Sequence, residues 1–383
     1  MIPNALDILG RLIAFDTTSH RSNLALIDWV EAHLAMRGIP CWRVAGADGA
    51  KANLLARIGP DVAGGIVLSG HSDVVPVEGQ SWTSDPWTMT RRGDRLYGRG
   101  VADMKGFIAL ALALADTPAA QRLTRPIIIA ITYDEEIGCL GAPLLIGRLG
   151  DHVAPPALAV IGEPTSMKIV SVHKGMRVFE VTVRGREAHS SQRGQGASAI
   201  AAALPLMRLV GEMDGEARAA IRAGDLCHPP GATMTVGVVE GGTAANIVPG
   251  QCRFRWDLRT TVAADADRYE ARFRAAADAA NAAIRALAPE GGVAVERLAD
   301  APPLEFDQGG EAERFVRALT GDNDAIGAAF TAEAGLYQQA GIPAVLCGPG
   351  SIEQAHQPDE WIAIDQIERG AEFLLRLAGR LSA

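Results

Sequence analysis

Residues 65–73 read GIVLSGHSD, an apolar run that stops at a histidine and an aspartate. Two later runs stop in the same way, IIIAITYDEE at 127–136 and LAVIGEPT at 158–165. Short, nearly continuous apolar runs read as strands buried on both faces, as in a parallel sheet covered by helices. In an open α/β sheet, ligands gather in the crevice outside the carboxyl ends of the strands. Three polar strand ends in succession therefore point at one crevice, and they bring His71, Glu136 and Glu163 to it. Two loop segments add Asp103 (YGRGVADMKG, 97–106) and His356 (GSIEQAHQPDE, 350–360). Two imidazoles and three carboxylates suit zinc, cobalt or manganese better than magnesium or calcium. Two ions a few ångströms apart can share a carboxylate and activate one water.

Outward from these runs, the chain up to about residue 170 alternates helix-like and strand-like patterns. AHLAMRGIPCWRVAG (32–46) reads as a helix end, a Gly-Ile-Pro stop and a strand; GFIALALALAD (106–116) reads as the helix after the Asp103 loop. This implies an α/β fold, a mostly parallel sheet flanked by helices. Near Lys174 the pattern changes. MRVFEVTVRG (176–185) alternates strictly, with Phe179, Val181 and Val183 on one face, so that strand is covered on one side only. A helix at 197–213 follows, then strands at 233–242 and 251–260 joined by a glycine-containing turn, a helix at 266–287 and a strand at 293–298. The order βαββαβ is ferredoxin-like. Beyond Pro302 and Pro303 the first pattern returns. The expectation is a catalytic, metal-binding domain of residues 1–173 and 300–383, with a second domain, 174–299, inserted into it.

The bulk composition excludes several classes. The 383 residues are 48% hydrophobic and 21% charged, ordinary for a globular chain of two domains. The formal net charge of −9 has no basic block to offset it, which argues against a nucleic-acid or anionic-membrane partner. No apolar run reaches the length of a membrane span, and MIPNALDILGRLIAFD reads as an amphipathic helix rather than a signal peptide. The 5 cysteines are scattered without a CxxC pair, so reduced thiols in the cytoplasm are expected.

Taken singly, the candidate residues carry bland readings too. His71 and Asp73 are two apart on one face of a strand end, so Asp73 can orient a metal-binding His71; the pair could equally be a turn histidine with a solvated aspartate. Asp103 lies among glycines that free the backbone around a carboxylate reaching two ions, or it caps the next helix. Glu135 and Glu136 repel each other unless cations lie between them. Glu136 as ligand and Glu135 as proton shuttle is the preferred division, although spacing does not rank them against Asp134. Glu163 and His356 gain their meaning from the set. In the inserted segment, Arg259 can grip a carboxylate, and His189 or Asn246 can stabilise an oxyanion; spacing alone assigns none of them.

The stretches GGIVLSGHSDVVPV, WTSDPW, LYGRGVADMKGF, IGEPTS, HKG, HSS and GPGSIEQAHQPDE together resemble the dinuclear-zinc amidohydrolase and exopeptidase family. That family includes carboxypeptidase G, succinyl-diaminopimelate desuccinylase, aminoacylase and acetylornithine deacetylase. The likeness runs over essentially the whole chain and leans toward the acetylornithine deacetylases. It implies two divalent ions, zinc or cobalt, bridged by Asp103. His71 and Glu163 would complete one site, and Glu136 and His356 the other. It further implies Glu135 as general base, Asp73 as the residue orienting His71, and a cis peptide after Asp103. By the same resemblance the inserted domain mediates homodimerisation, His189 reaches the partner subunit's active site, and Arg259 and Asn246 hold substrate. The implied reaction is hydrolysis of an N-acyl amino acid, first of all N2-acetyl-ornithine to ornithine and acetate, in arginine biosynthesis. Succinyl-diaminopimelate, other acyl amino acids and dipeptides are the alternatives within the family, and a non-catalytic amino-acid-binding relative is the alternative outside it. Tyr133, where a small residue is common, and Ala188, where glycine is frequent, depart from the deacetylase pattern.

Overall fold

The computed structural model describes residues 1–221, 224–322, 324 and 326–382. They form two compact units. One comprises Met1–Val172, Phe306–Gly327 and Ala332–Ala383; the other comprises His173–Glu305 with the short return Ala328–Thr331.

The larger unit is built on an eight-stranded mixed sheet. Its four central strands are Ile127–Thr132, Ile66–His71, Leu158–Pro164 and Ala344–Gly348, neighbours in that order and mutually parallel. Ala52–Ile58 and Cys41–Ala45 continue the sheet antiparallel on one flank. Every residue of the four central strands is buried, as their unbroken apolar runs require. The chain leaves Ile66–His71 for Ile127–Thr132 on one side, then crosses to Leu158–Pro164 on the other. Strand order thus reverses at Ile66–His71, which opens the crevice at its carboxyl end.

Glycine immediately precedes the ligand candidate in two of these strands. A Cβ on Gly162 would stand 2.0 Å from the Phe107 ring, and one on Gly70 would stand 2.9 Å from the end of Met104 and 3.1 Å from Ile108. The wholly buried helix Lys105–Leu114 therefore packs on the glycine face. Strand alternation turns His71 and Glu163 to the other face.

The smaller unit has a four-stranded antiparallel sheet in the order Thr233–Gly241, Gln251–Thr260, Gly175–Arg184, Gly292–Ala301, with long helices Ala199–Ala219 and Ala263–Leu287. This is the ferredoxin-like order. Phe179, Val181, Val183, Phe254 and Trp256 line its buried face. The connection between the strands Thr233–Gly241 and Gln251–Thr260 is not a simple turn. Within it, Ile247–Val248 pairs with Ala188–His189 as a separate two-stranded sheet. Glycine density marked a turn there, but a pairing of two residues has no period to read.

Among the described residues no helix is long and apolar enough to cross a membrane. The five cysteines are free thiols.

Candidate metal centre

Strand ends and loops of the larger unit assemble two overlapping groups of ligand atoms. His71, Asp103 and Glu163 form one and Asp103, Glu136 and His356 the other, with ligand atoms within 4.8 Å of one another in each. Asp103 belongs to both. Its Oδ1 lies 3.0 Å from His71 Nε2, and its Oδ2 lies 3.3 Å from His356 Nε2. Glu136 reaches His356 Nε2 at 3.0 Å. Met104, not Asp103, occupies the N-cap position of the following helix, and the peptide between them is cis. The capping alternative therefore does not describe Asp103, whose carboxylate faces the two imidazoles.

The three acids in sequence are also separated by geometry. Asp134, in the left-handed backbone region with φ 58°, turns away to an ion pair with Lys51. Glu135 points inward, 4.0 Å from His71 Nε2, and its Oε1 faces the Cys139 thiol at 3.6 Å. Glu136 points to His356. Asp73 does less for His71 than its spacing implied. The imidazole Nδ1 lies 2.9 Å from the Asp73 backbone carbonyl and 3.6 Å from its carboxylate. The carboxylate instead accepts the amide N–H groups of Glu135 and Glu136 and the Ser19 hydroxyl.

The electrostatics are those of a buried acidic cluster. Burial pushes the Glu135 and Glu163 carboxyls well above the usual range, reinforced by neighbouring acids and opposed by His71. Burial and Asp103 raise Glu136 to about 7. Hydrogen bonds to Asp103 and Glu136 raise His356 to about 10. For Asp103, burial works upward, yet the bonds to His356 and His71 hold its carboxyl below the usual range. Glu163 Oε1 is buried without a hydrogen-bond partner, a state that normally costs ~1–3 kcal/mol, more for a charged group. A carboxylate oxygen left open, on a face shared with imidazoles and further carboxylates, fits a metal ligand.

Sequence reasoning passed over three residues beside this centre. Glu333, 1% exposed, accepts the Ser69 hydroxyl at 3.1 Å, and the Tyr337 hydroxyl meets Ser69 at 3.1 Å. Glu360, in the quoted GPGSIEQAHQPDE stretch, is equally buried. Glu360 is a charged residue in a polar loop, which carries no burial signal; Glu333 is the N-cap of the helix Ala334–Gln339 and Tyr337 belongs to it, and that helix is too short for a periodic one.

The remaining three candidates belong to the smaller unit. His189 is exposed, with Nδ1 2.8 Å from the Ser191 hydroxyl, and its strand partner Ile247 directly follows Asn246. Arg259 donates to Asp257 at 2.9 Å and to the Thr331 hydroxyl at 3.0 Å. It pairs with Met176 at one end of the strand Gly175–Arg184, whereas His189 lies beyond the other end. Arg184 lies eight positions beyond Met176 on that strand, roughly 27 Å at the usual rise.

Residues 67–380 match the model of the peptidase family M20/M25/M40. The acetylornithine deacetylase of Myxococcus xanthus is 35% identical over 98% of this chain and 97% of its own. That of Pasteurella multocida is 32% identical over 99% and 98%. In fold, the chain is similar to the aminopeptidase PepT of Bacillus cereus, at TM-score 0.75 and 17% identity, covering 100% of this chain and 99% of that one. It is also similar to the YXEP protein of Bacillus subtilis, a dinuclear metal-binding peptidase of the M20 family, at TM-score 0.67 and 15% identity over 98% and 97%.

Proposed function

This chain belongs to the peptidase family M20/M25/M40 and is a metallohydrolase acting on amide bonds, and we propose that it removes the acetyl group of N2-acetyl-ornithine, giving ornithine and acetate. The observation that carries the chemistry is one carboxylate, Asp103, shared by two ligand groups, with the unassigned Glu135 carboxyl beside them. The nearly full-length likeness to acetylornithine deacetylases supports the substrate, and with it a step in arginine biosynthesis.

His71 and Glu163 would hold one divalent ion, Glu136 and His356 the other, and Asp103 both. Zinc or cobalt suits that donor set. When bound, the ions polarise the amide carbonyl and lower the pKa of water. Glu135 takes the proton of the attacking water and gives it to the departing amine. Asp73 fixes the backbone from which Glu135 and Glu136 project. Arg259 would leave Asp257 to pair with the substrate carboxylate, and Asn246 would help to hold the substrate.

We infer a homodimer in which His189 of one subunit serves the other's oxyanion. The wide separation of His189 from Arg259 along the small sheet supports this, since one amino-acid substrate does not span it. The edge strand Thr233–Gly241 also leaves Val238 and Val239 about half exposed. The five free thiols support a reducing, cytoplasmic setting.

The substrate is tested by comparing kcat/KM for N2-acetyl-ornithine, N-acetyl-methionine and N-succinyl-diaminopimelate with the zinc-loaded chain. Acetyl-ornithine is expected to lead. A lead for either of the others reassigns the acyl or amino-acid preference.

A further inference from the structure

His71 and Glu163 stand on strands whose positions the sheet ladder fixes. Asp103 and His356 do not: each stands on a loop, and the two loops are 253 residues apart in the sequence (103 to 356). What sets their separation is Glu360, 1% exposed. Its Oε2 accepts Arg99 Nη1 at 2.8 Å and the Gly100 amide at 2.9 Å; its Oε1 accepts the amides of Ala102 at 2.9 Å and Asp103 at 3.1 Å. Its own carbonyl accepts the Gly98 amide at 3.1 Å. One carboxylate thus holds the Arg99 side chain and the backbone amides of 100, 102 and 103, up to the shared Asp103 itself.

The fastening continues to the other ligand. Arg99, also 1% exposed, donates through Nη2 to Gln80 Oε1 at 2.6 Å, and Gln80 Nε2 donates to the His356 carbonyl at 3.0 Å. His356 and Asp359 have φ of 62° and 55°, a region side chains adopt only when their surroundings hold them there. The Thr83 amide meets the Asp359 carboxylate at 2.9 Å. Immediately after Glu360, the strand Trp361–Ala363 pairs with Arg95–Tyr97, which leads into Arg99. The two ligand-bearing loops are therefore joined on both sides of Glu360.

We propose that Glu360 is a positioning residue of the metal centre, setting the Asp103–His356 spacing through its four accepted hydrogen bonds and the Arg99–Gln80 link, and thereby the affinity of the ion held by Asp103, Glu136 and His356. The inference rests on the two-metal reading. Loosening the clamp leaves His71 and Glu163 on their strands, so the first ion keeps two well-placed ligands. The second keeps only Glu136. The effect is consequently asymmetric between the ions.

Glu360→Gln tests this. The amide is nearly isosteric, but it presents N–H groups where Glu360 accepts from Arg99 or the backbone. The metal-stripped, full-length variant is titrated with zinc in competition with a chromophoric chelator, alongside its melting temperature. Affinity for the second equivalent should fall roughly 10- to 100-fold, with the first changed much less. Raising free zinc should restore kcat with KM unchanged. Wild-type affinity for both equivalents, or equal weakening of both, overturns the proposal even if the melting temperature drops, because that pattern is a purely structural role. If Glu360→Gln does not fold, Gln80→Ala decides. It removes the Arg99–Gln80–His356 link while leaving the four hydrogen bonds of the Glu360 carboxylate in place, and must weaken the second equivalent selectively; unchanged binding overturns the proposal. A wild-type chain that takes up no second equivalent overturns the two-metal reading itself.

Discussion

Asp73 controls Glu135 through the backbone: its Oδ1 accepts the Glu135 amide at 3.1 Å, while its Oδ2 accepts that of Glu136 at 3.3 Å. Two adjacent strand residues normally point to opposite faces. Ending the strand at Thr132 and pinning both amides to one carboxylate lets both side chains enter the crevice. The arrangement gives the two carboxyls different neighbours, Cys139 for Glu135 and His356 for Glu136. Glu135→Gln is expected to keep the fold and both ions but lose ~100- to 10,000-fold in kcat. Glu136→Gln should instead lower metal content. Metal analysis and kcat on the two variants check this, and the reverse pattern would exchange the two roles.

Activity should require divalent metal. The orphaned Glu163 oxygen and the raised carboxyls of Glu135, Glu136 and Glu163 describe a cluster that cations complete. Dialysis against a strong chelator is expected to abolish turnover, and zinc or cobalt to restore it. Full turnover by chain shown to be metal-free would refute the reading.

A mixed dimer should recover activity from two dead parents. If His189 serves the partner, an equal mixture of His189→Ala and Glu135→Gln chains regains roughly a quarter of wild-type sites, given free exchange in symmetric dimers. Half the dimers are then mixed, and each restores one of two sites. Exchange is verified independently by mass. No recovery despite exchange would place His189 in its own chain's site or in none.

His173 gives the protein a pH-dependent stability apart from catalysis. Burial pushes its imidazole down to about 4 from the ordinary 6.5, and Nδ1 lies 3.0 Å from the Lys174 carbonyl. The native state therefore binds fewer protons than the unfolded chain between those values. Its contribution is complete above pH 6.5, declines as pH falls, and is exhausted near pH 4, about 3 kcal/mol in all. Urea unfolding at pH 7.5 and 5.0 should show the gap between wild type and His173→Gln narrowing by about 2 kcal/mol at the lower pH. A constant gap would mean His173 is not held neutral.

What the sequence makes legible is whatever burial writes into it. The apolar runs before His71, Glu136 and Glu163 announce strands and, by the switch-point rule, the crevice; the alternation of Phe179, Val181 and Val183 announces the half-covered sheet. The choice among Asp134, Glu135 and Glu136 was open because it depends on Lys51, 83 residues from Asp134. Two of the three donors to the Asp73 carboxylate are backbone amides, which every residue carries and no sequence distinguishes; the third, the Ser19 hydroxyl, lies 54 residues away. Arg99 and Glu360 are missed for a related reason: a buried ion pair between two loops resembles two solvated charges until the loops meet. The strands Thr90–Arg92 and Arg95–Tyr97 did leave a cue, a Gly-Asp pair between short charged segments.

The interruption of the larger unit by a contiguous insert has a consequence for synthesis. Residues 173–305 can collapse as soon as they emerge, needing only Ala328–Thr331 to follow, whereas the central sheet waits for Ala344–Gly348 and the metal centre for His356. At roughly 5–20 residues per second, about 3–10 s pass between residue 305 and His356. During that interval the nascent chain displays His71, Asp103, Glu136 and Glu163 without their closing histidine. The order of synthesis thus makes His356 the last of the five candidate ligands to become available.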